Sequence, residues 1–490
     1  MTDGRISEGL KITLRWMRRI RGLWLRFGRA KKRMKYEDFL KGKLKSRPKS
    51  GFDMQDEHEN LFEWQRYVTD WACKTGSAAL FEDCGLGKTA QQLAWAQETA
   101  QKSGKPTLIL APLAVSRQTV REGEKFGVPV TLAEMDADIA PGVNITNYEK
   151  LDKFDTKRFG AVVLDESSIL KSYMGKTKRQ IIGAFRDTPF KLACTATPAP
   201  NDLMELLNHA EFLGIMRSSE ALSCWFVADQ RNSGHYRLKG HAEQDFWRWV
   251  ASWAVCISSP KDIGFRADGY TLPDLHEKNE VVQTEKNTLL GLAEKLDLSV
   301  KGFHAAKKKS LAERVQRCAE IVGGSDEQFV IWCFQNEEAD ELKKAIPEAV
   351  EIRGSDKADT KERAAVDFID GKFRVLISKP SIFGFGLNFQ NCRNAVFCGL
   401  DYSYESYYQA VRRFYRFGQD KEVNVWRVIG EGEKEILDAI ERKAQQKQEM
   451  TVSMAQAMRD FQTEAVRGRE FVLDLKKDEF KFPAWIKEAM

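Results

Sequence analysis

Short apolar runs alternate with helically spaced segments along most of the chain. "PTLILAPL" (106–113), "GVNITNY" (142–148), "FGAVVLDE" (159–166) and "FKLACTATP" (190–198) have the length and composition of buried strands. The rhythm returns in "QFVIWCF" (328–334), "EAVEIRG" (348–354), "FRVLIS" (373–378), "NAVFCGL" (394–400) and "VNVWRVI" (423–429). Apolar strands separated by helices predict parallel sheets covered on both faces, so the fold class is α/β with two similar lobes. Between the two sets, at about 205–310, the pattern is helical and aromatic-rich, with Trp225, Trp247, Trp249 and Trp253. Aromatics at helical spacing are expected in the core of helical protrusions. Residues 44–60 are polar and read as a linker, and the last forty residues read as helix.

Charge sets the first residues apart. Positions 1–33 hold eleven Lys and Arg against Asp3 and Glu8, a local charge of +9; the overall +6 therefore leaves −3 for the rest. At helical spacing Leu14, Met17, Ile20, Trp24 and Phe27 share a face opposite Lys11, Arg15, Arg18, Arg26 and Arg29. A cationic amphipathic helix can meet anionic lipid or nucleic acid. Met34 opens a segment that reads well as a natural start, so the expectation is a dispensable or misassigned extension. The body is not basic, and any nucleic acid it binds must be held by a local cleft. The nine cysteines are scattered and include no CxxC pair, which argues for a reducing, cytoplasmic setting, a nucleoid or phage-infected cell included. No apolar run has the length of a membrane span.

Candidate chemistry begins at "ALFEDCGLGKTAQQL" (79–93), a strand, a glycine loop and the start of a helix. Gly85 and Gly87 allow the backbone to turn its N–H groups toward phosphate, Lys88 can neutralise phosphate charge, and the Thr89 hydroxyl can ligate Mg²⁺. The helix N-terminus favours the anion. Glu82 stands where the usual phosphate-loop pattern has its first glycine. "VVLDESS" then places Asp165 and Glu166 just past a buried strand, where α/β proteins keep ligand chemistry. Asp165 can hold Mg²⁺ through water, and Glu166 can orient and deprotonate an attacking water. The plain alternatives are a Gly-rich turn and an acidic strand end facing solvent.

In order, "EDCGLGKT", "LDESS", "TATPAPNDLMEL" (195–206) and "QAVRRFYRFGQ" (409–419) resemble the superfamily-two helicase motors. The likeness is to the Swi/Snf-related, chromatin-remodeller-like branch, most of all its compact phage- or prophage-encoded, DEAD-like members, and runs from about Phe62 to about Ile440. It implies two RecA-like lobes joined by the helical, aromatic-rich insertion. The expected domains are a basic extension (1–33), a linker and lead-in (34–60), lobe one (61–204), the insertion (205–310), lobe two (311–449) and a helical tail (450–490). It also implies that Gln65 reads adenine, that Lys88 and Thr89 serve phosphate and Mg²⁺, and that Asp165 and Glu166 form the acidic box. Thr195, Thr197 and Gln409 match coupling positions. Gly384, Gly386, Leu387 and Asn388 match an element of the second lobe that meets DNA and nucleotide. Arg413 and Arg416 match the arginine motif; at i and i+3 of a helix they share a face. Capping, turn, solvated-helix and basic-surface roles are the ordinary alternatives at these positions. Arg412 replaces a usual acid, Tyr415 a usual histidine, and "DESS" departs from the commoner acidic boxes.

The resulting expectation is an ATP hydrolase that uses ATP and Mg²⁺ to translocate on DNA. Duplex is favoured, single strands are admitted, RNA is less expected, and protein partners would dock on the insertion and tail. The alternatives are a strand-separating DNA or RNA helicase and, from another class, a non-catalytic nucleic-acid clamp or scaffold.

Overall fold

The computed structural model describes residues 51–466 apart from 113–114, 174, 229–235, 268–269, 271, 284–306 and 384–388. The extension 1–33, the start of the lead-in and the end of the tail lie outside these residues, as do Gly384, Gly386, Leu387 and Asn388.

The first half supplies β1 (Ser77–Glu82), β2 (Thr107–Ala111), β3 (Val130–Leu132), β4 (Val143–Asn147), β5 (Ala161–Asp165) and β6 (Phe190–Cys194). Every residue of β1, β2, β4 and β6 is buried, as sheets covered on both faces require. The middle region holds the hairpin β7 (Phe226–Ala228) with β8 (Tyr236–Leu238), then β9 (Ala254–Ile257) and β10 (Leu275–Val282). The last set is β11 (Phe329–Trp332), β12 (Val350–Glu351), β13 (Val375–Ser378), β14 (Asn394–Cys398) and β15 (Val423–Gly430). One sheet runs β3-β4-β2-β5-β6-β1-β9 and the other β10-β15-β14-β11-β13-β12. Every pairing within these two sheets is parallel. These are the two α/β lobes the sequence predicts, joined by a helical, aromatic-rich region.

That joining region does more than the sequence suggests, because it lends an edge strand to each sheet. β9 pairs with β1 in register Glu82↔Ile257, and β10 pairs with β15 along its whole length. β10 is mostly exposed and polar, so it carries no apolar run to betray it. The tryptophans are core, as expected from their spacing. Trp225, Trp247, Trp249 and Trp253 are all buried, with Trp249 5.4 Å from Trp253 and Trp253 6.1 Å from Phe81 of β1. Each such edge contact adds about 1 kcal/mol to the burial term. The insertion thus braces the strand that leads into the glycine loop. The helix Lys434–Val466 packs on the helix Glu243–Ala251 and on β9.

From Gly51 the polar stretch expected as a linker lies against the first lobe. Phe52 is buried edge-on to Phe190, 5.3 Å away. The buried Glu98 carboxylate accepts from Gln55 N and Asp56 N, both at 2.9 Å, and His58 Nε2 lies 3.0 Å from it. One apolar anchor and a carboxylate needing donors fix a segment whose composition alone reads as loop.

Candidate active site

Parallel strands put their carboxyl ends on one edge, and the chemistry gathers there. The registers Asp165↔Cys194 and Leu80↔Cys194 bring the ends of β5, β6 and β1 side by side. The glycine loop, the Asp165–Glu166 pair and Thr195 are therefore neighbours although far apart in sequence.

The loop needs its glycines for two reasons. Gly85 and Gly87 have φ of 87° and 78°, which disfavour a side chain. A Cβ on Gly87 would also stand 2.4 Å from Gln65 Nε2, and one on Gly85 would meet Phe417 N at 3.2 Å and Arg416 Cβ at 3.3 Å. Gln65 is buried under the loop; its Nε2 donates to Leu86 O at 2.8 Å and its Oε1 accepts from Phe62 N at 3.0 Å. Lys88 opens the helix Lys88–Ser103, followed by Thr89, and its Nζ donates to the carbonyls of Glu82 (2.8 Å) and Asp83 (3.0 Å). Glu82 is fully buried at the end of β1, where its Oε2 accepts from Gln91 Nε2 at 2.7 Å. Burial pushes the Glu82 carboxyl up to about 7, against the Lys88 charge. Its departure from glycine therefore serves the helix beneath the loop.

Asp165 and Glu166 lie in the same electrostatic field. Gln92 Nε2 donates to Asp165 Oδ1 at 2.8 Å and the Tyr148 hydroxyl to Asp165 O at 2.7 Å. Burial raises the Asp165 carboxyl above its usual range, opposed by Gln92 and Lys88. Burial and then the Asp165 charge raise Glu166, which Lys88 and Arg413 pull down. Glu166 also sits at φ 53°, uncommon for a residue with a side chain, a feature that favours functional turns. Thr195 Oγ1 lies 3.3 Å from Glu166 Oε2 and accepts from Thr197 N at 3.1 Å. The motif around Thr195 and Thr197 thus touches the acidic pair directly.

The arginines arrive from the other lobe. They do not ride a helix face: the helix Tyr404–Val411 ends before them, and Arg412–Arg416 continue as turns. Tyr404, Tyr407, Val411 and Phe414 all lie in the second-lobe core, so the segment is anchored on both sides of the helix end. Arg413 O accepts from Phe389 N at 2.9 Å, fixing its backbone. Burial, and then Arg416, lower the Arg413 guanidinium to about 10, while Cys84 and Glu166 oppose that shift. Burial likewise lowers Arg416, against Cys84 and Glu122. Both remain cations at neutral pH, Arg413 near Cys84 of the loop and Glu166, Arg416 against Gly85 and Cys84 of the loop. Gln409 is buried within the same helix.

The structure therefore brings Gln65, Gly85, Gly87, Lys88, Thr89, Asp165, Glu166, Thr195, Thr197, Arg413 and Arg416 around one cleft between the lobes. Sequence reading missed Gln92 and Tyr148, which hold Asp165. It also missed Glu405, whose carboxylate takes the Ser168 hydroxyl and Lys171 Nζ (2.7 Å) across the cleft. Gln92 could have been found: it lies one turn past Lys88 on the same helix, and helical neighbours of a loop lysine reach the adjoining strand ends.

His209 supports the acidic turn from beneath and gives a pH-dependent prediction. Its Nδ1–H donates to Glu205 O at 3.2 Å, which leaves Nε2 to accept from the Ser167 hydroxyl at 3.1 Å. Burial lowers its pKa from 6.5 to about 4. Above about 6.5 the ring is neutral folded and unfolded; as pH falls from there toward 4, only the unfolded chain takes up the proton. This group by itself should lower folding stability by up to about 3 kcal/mol over that window, in the opposite sense to buried carboxyls such as Glu82, which take up protons first in the folded chain. His209→Gln should remove that contribution, measured as the change in urea midpoint between pH 7.5 and pH 5 in the two proteins; an equal change in both counts against the assignment.

Residues 63–239 match the SNF2-related domain and residues 313–418 the helicase conserved C-terminal domain. The chain is 26% identical over 397 residues to putative protein p41 of Acyrthosiphon pisum secondary endosymbiont phage 1, covering 67% of this chain and 83% of that one. It is 23% identical over 454 residues to the SWI/SNF chromatin-remodeling complex subunit snf22 of Schizosaccharomyces pombe. That alignment covers 77% of this chain and 27% of snf22, so the chain spans about a quarter of that relative. The solved structure of the Sulfolobus solfataricus SWI2/SNF2 ATPase core in complex with dsDNA aligns over 85% of this chain and 98% of its own, at 18% identity and a TM-score of 0.40.

Proposed function

We propose that this chain, which belongs to the SNF2-related ATPase branch of the superfamily-two helicases, hydrolyses ATP between its lobes and uses the cycle to translocate on duplex DNA. One observation carries the reading: the glycine loop and acidic pair of one lobe face the arginine segment of the other closely enough that Gly85 abuts Arg416 and Phe417. A nucleoside triphosphate held there would be gripped from both sides.

Each residue then has a task. Gln65 selects adenine at the loop edge, and the Gly85–Gly87 amides and Lys88 take the phosphates. Thr89 and Asp165 offer hard oxygen donors on facing elements, a set that fits Mg²⁺, with Gln92 orienting the carboxylate. Held by these donors, Mg²⁺ would supply positive charge against the phosphates. Glu166 orients the attacking water and accepts its proton. Arg413 and Arg416 neutralise charge that develops on the transferred phosphoryl group. Thr195, in contact with Glu166, Thr197, bonded to Thr195, and Gln409, with Gly386 of the second lobe, relay the cycle to lobe movement. Closing and opening would shift two phosphate-gripping surfaces in turn, giving salt-sensitive binding with little sequence preference. The segments 61–204 and 311–449 would be the moving bodies. Among the described residues no helix is long and apolar enough to cross a membrane.

The test is steady-state ATPase activity with no polymer, single-stranded DNA, duplex DNA and RNA, together with triplex displacement and forked-duplex unwinding. Duplex DNA should stimulate most, by about tenfold or more, and triplex should be displaced without fork opening. Efficient fork opening would replace the translocase by a strand-separating helicase. Polymer binding without turnover under any condition would make the chain a clamp.

A further inference from the structure

An ion pair that the proposed cycle does not use ties the glycine loop to the arginine segment. Asp83 follows β1 directly and its side chain is 9% exposed. Its Oδ1 accepts from Cys84 N at 2.8 Å and from the Tyr408 hydroxyl, with Lys447 Nζ at 3.4 Å; its Oδ2 accepts from Arg412 Nη2. Apart from Cys84, these partners stand on the helix Tyr404–Val411, the turn after it and the helix Lys434–Val466. Burial pushes the Asp83 carboxyl up, yet Arg412 and Lys447 hold it below its usual range, so it stays charged.

Arg412 is itself held by further contacts. Its Nε donates to the Tyr408 hydroxyl at 3.0 Å and its Nη1 to Tyr415 O at 3.1 Å. Its guanidinium lies 5.2 Å from the Tyr408 ring centre and 5.1 Å from that of Tyr415. A planar fork braced by two rings loses little freedom when it binds a carboxylate. The pair borders a cavity of about 440 Å³ whose other walls include Ser258, Tyr404 and Thr451, drawn from both halves of the chain. Separating the lobes would open that cavity and expose the pair to water, where it is worth much less.

Arg412 immediately precedes Arg413. We propose that Arg412 is a positioning residue: by clasping Asp83 at the start of the glycine loop, it sets Arg413 and Arg416 over the phosphate site without touching nucleotide itself. The inference deepens the ATPase reading and rests on it for its kinetic consequence alone; the clasp is a property of the nucleotide-free protein. Its effect should fall on kcat, because a misplacement of about 1 Å in a group acting at the transition state costs on the order of 10²-fold. Nucleotide capture by Lys88 and Thr89 is spared.

Arg412→Asp tests it by turning attraction into repulsion. In the full chain, kcat should fall about 100-fold while KM moves less than about fivefold. Arg412→Lys should recover most of the loss by keeping the charge. Adding Asp83→Asn to Arg412→Asp should recover at least about tenfold by removing the opposed carboxylate. A second readout needs no turnover: amide exchange at residues 83–87 and 412–418 should quicken in Arg412→Asp, stay unchanged in β5 and β14, and slow again in the double variant. Unchanged exchange and kcat in Arg412→Asp, or a double variant no better than Arg412→Asp, overturns the proposal. Absence of turnover in the unaltered protein removes the ATPase reading instead, and exchange still decides the clasp.

Discussion

Lys88→Ala should lower ATP turnover by about 10³-fold while leaving the fold intact. The ammonium of Lys88 donates to two loop carbonyls, so it stands inside the curve of the loop, where a phosphate would bring its own oxygens. The residue is half-buried at a helix start, so its truncation empties no core volume. Its charge also lowers both Asp165 and Glu166, and its loss would favour protonation of the group assigned to accept the water's proton. Three effects thus act in one direction: weaker phosphate grip, less charge neutralisation and a poorer base. Phosphate release at saturating ATP, with thermal melting as the control, measures this. Turnover close to the unaltered protein's would end the ATPase reading, because no other described lysine holds this place in the loop.

Arg413→Ala should cost about 10³-fold or more in kcat while nucleotide affinity changes little. The difference between the two variants follows from where each charge comes from. Lys88 belongs to the loop that captures phosphate, whereas Arg413 approaches from the second lobe and counts most when charge builds up in the transition state. Its backbone is fixed by Phe389 N and by the buried Phe414, so the truncated side chain has no ready substitute. Arg413→Lys should restore only part of the activity, since a point charge lacks the fork. Single-turnover hydrolysis and calorimetric ATP binding separate the effects. A variant that loses binding and keeps kcat would make Arg413 a ground-state ligand and remove it from the chemistry.

Much of this site is legible in the sequence because its parts are local. A strand, two glycines, a lysine and a threonine are contiguous, and their chemistry needs only the geometry of a strand–loop–helix turn. Asp165 and Glu166 are legible for a similar reason: a buried parallel strand spells itself as an apolar run, and its end marks the ligand edge. β10 escaped because an edge strand exposed on one face, "LHEKNEVV", has no such run. β9 escaped because "AVCI" follows directly on an aromatic helix. The arginines were found by type and order, yet their backbone was misread. Helical spacing continues in the letters, whereas the chain leaves the helix after Val411 and carries both arginines on turns.

By itself, the sequence determined two parallel-sheet lobes, the loop, the acidic pair and the two arginines, since each is written in neighbouring residues. Only the tertiary structure decided that the joining region completes both sheets, that Glu82 is buried beneath the loop, and that Asp83 meets Arg412. The last two residues are 329 positions apart. A contact between charges carries no periodicity and no local propensity, so it exists only once the two lobes have brought their edges together.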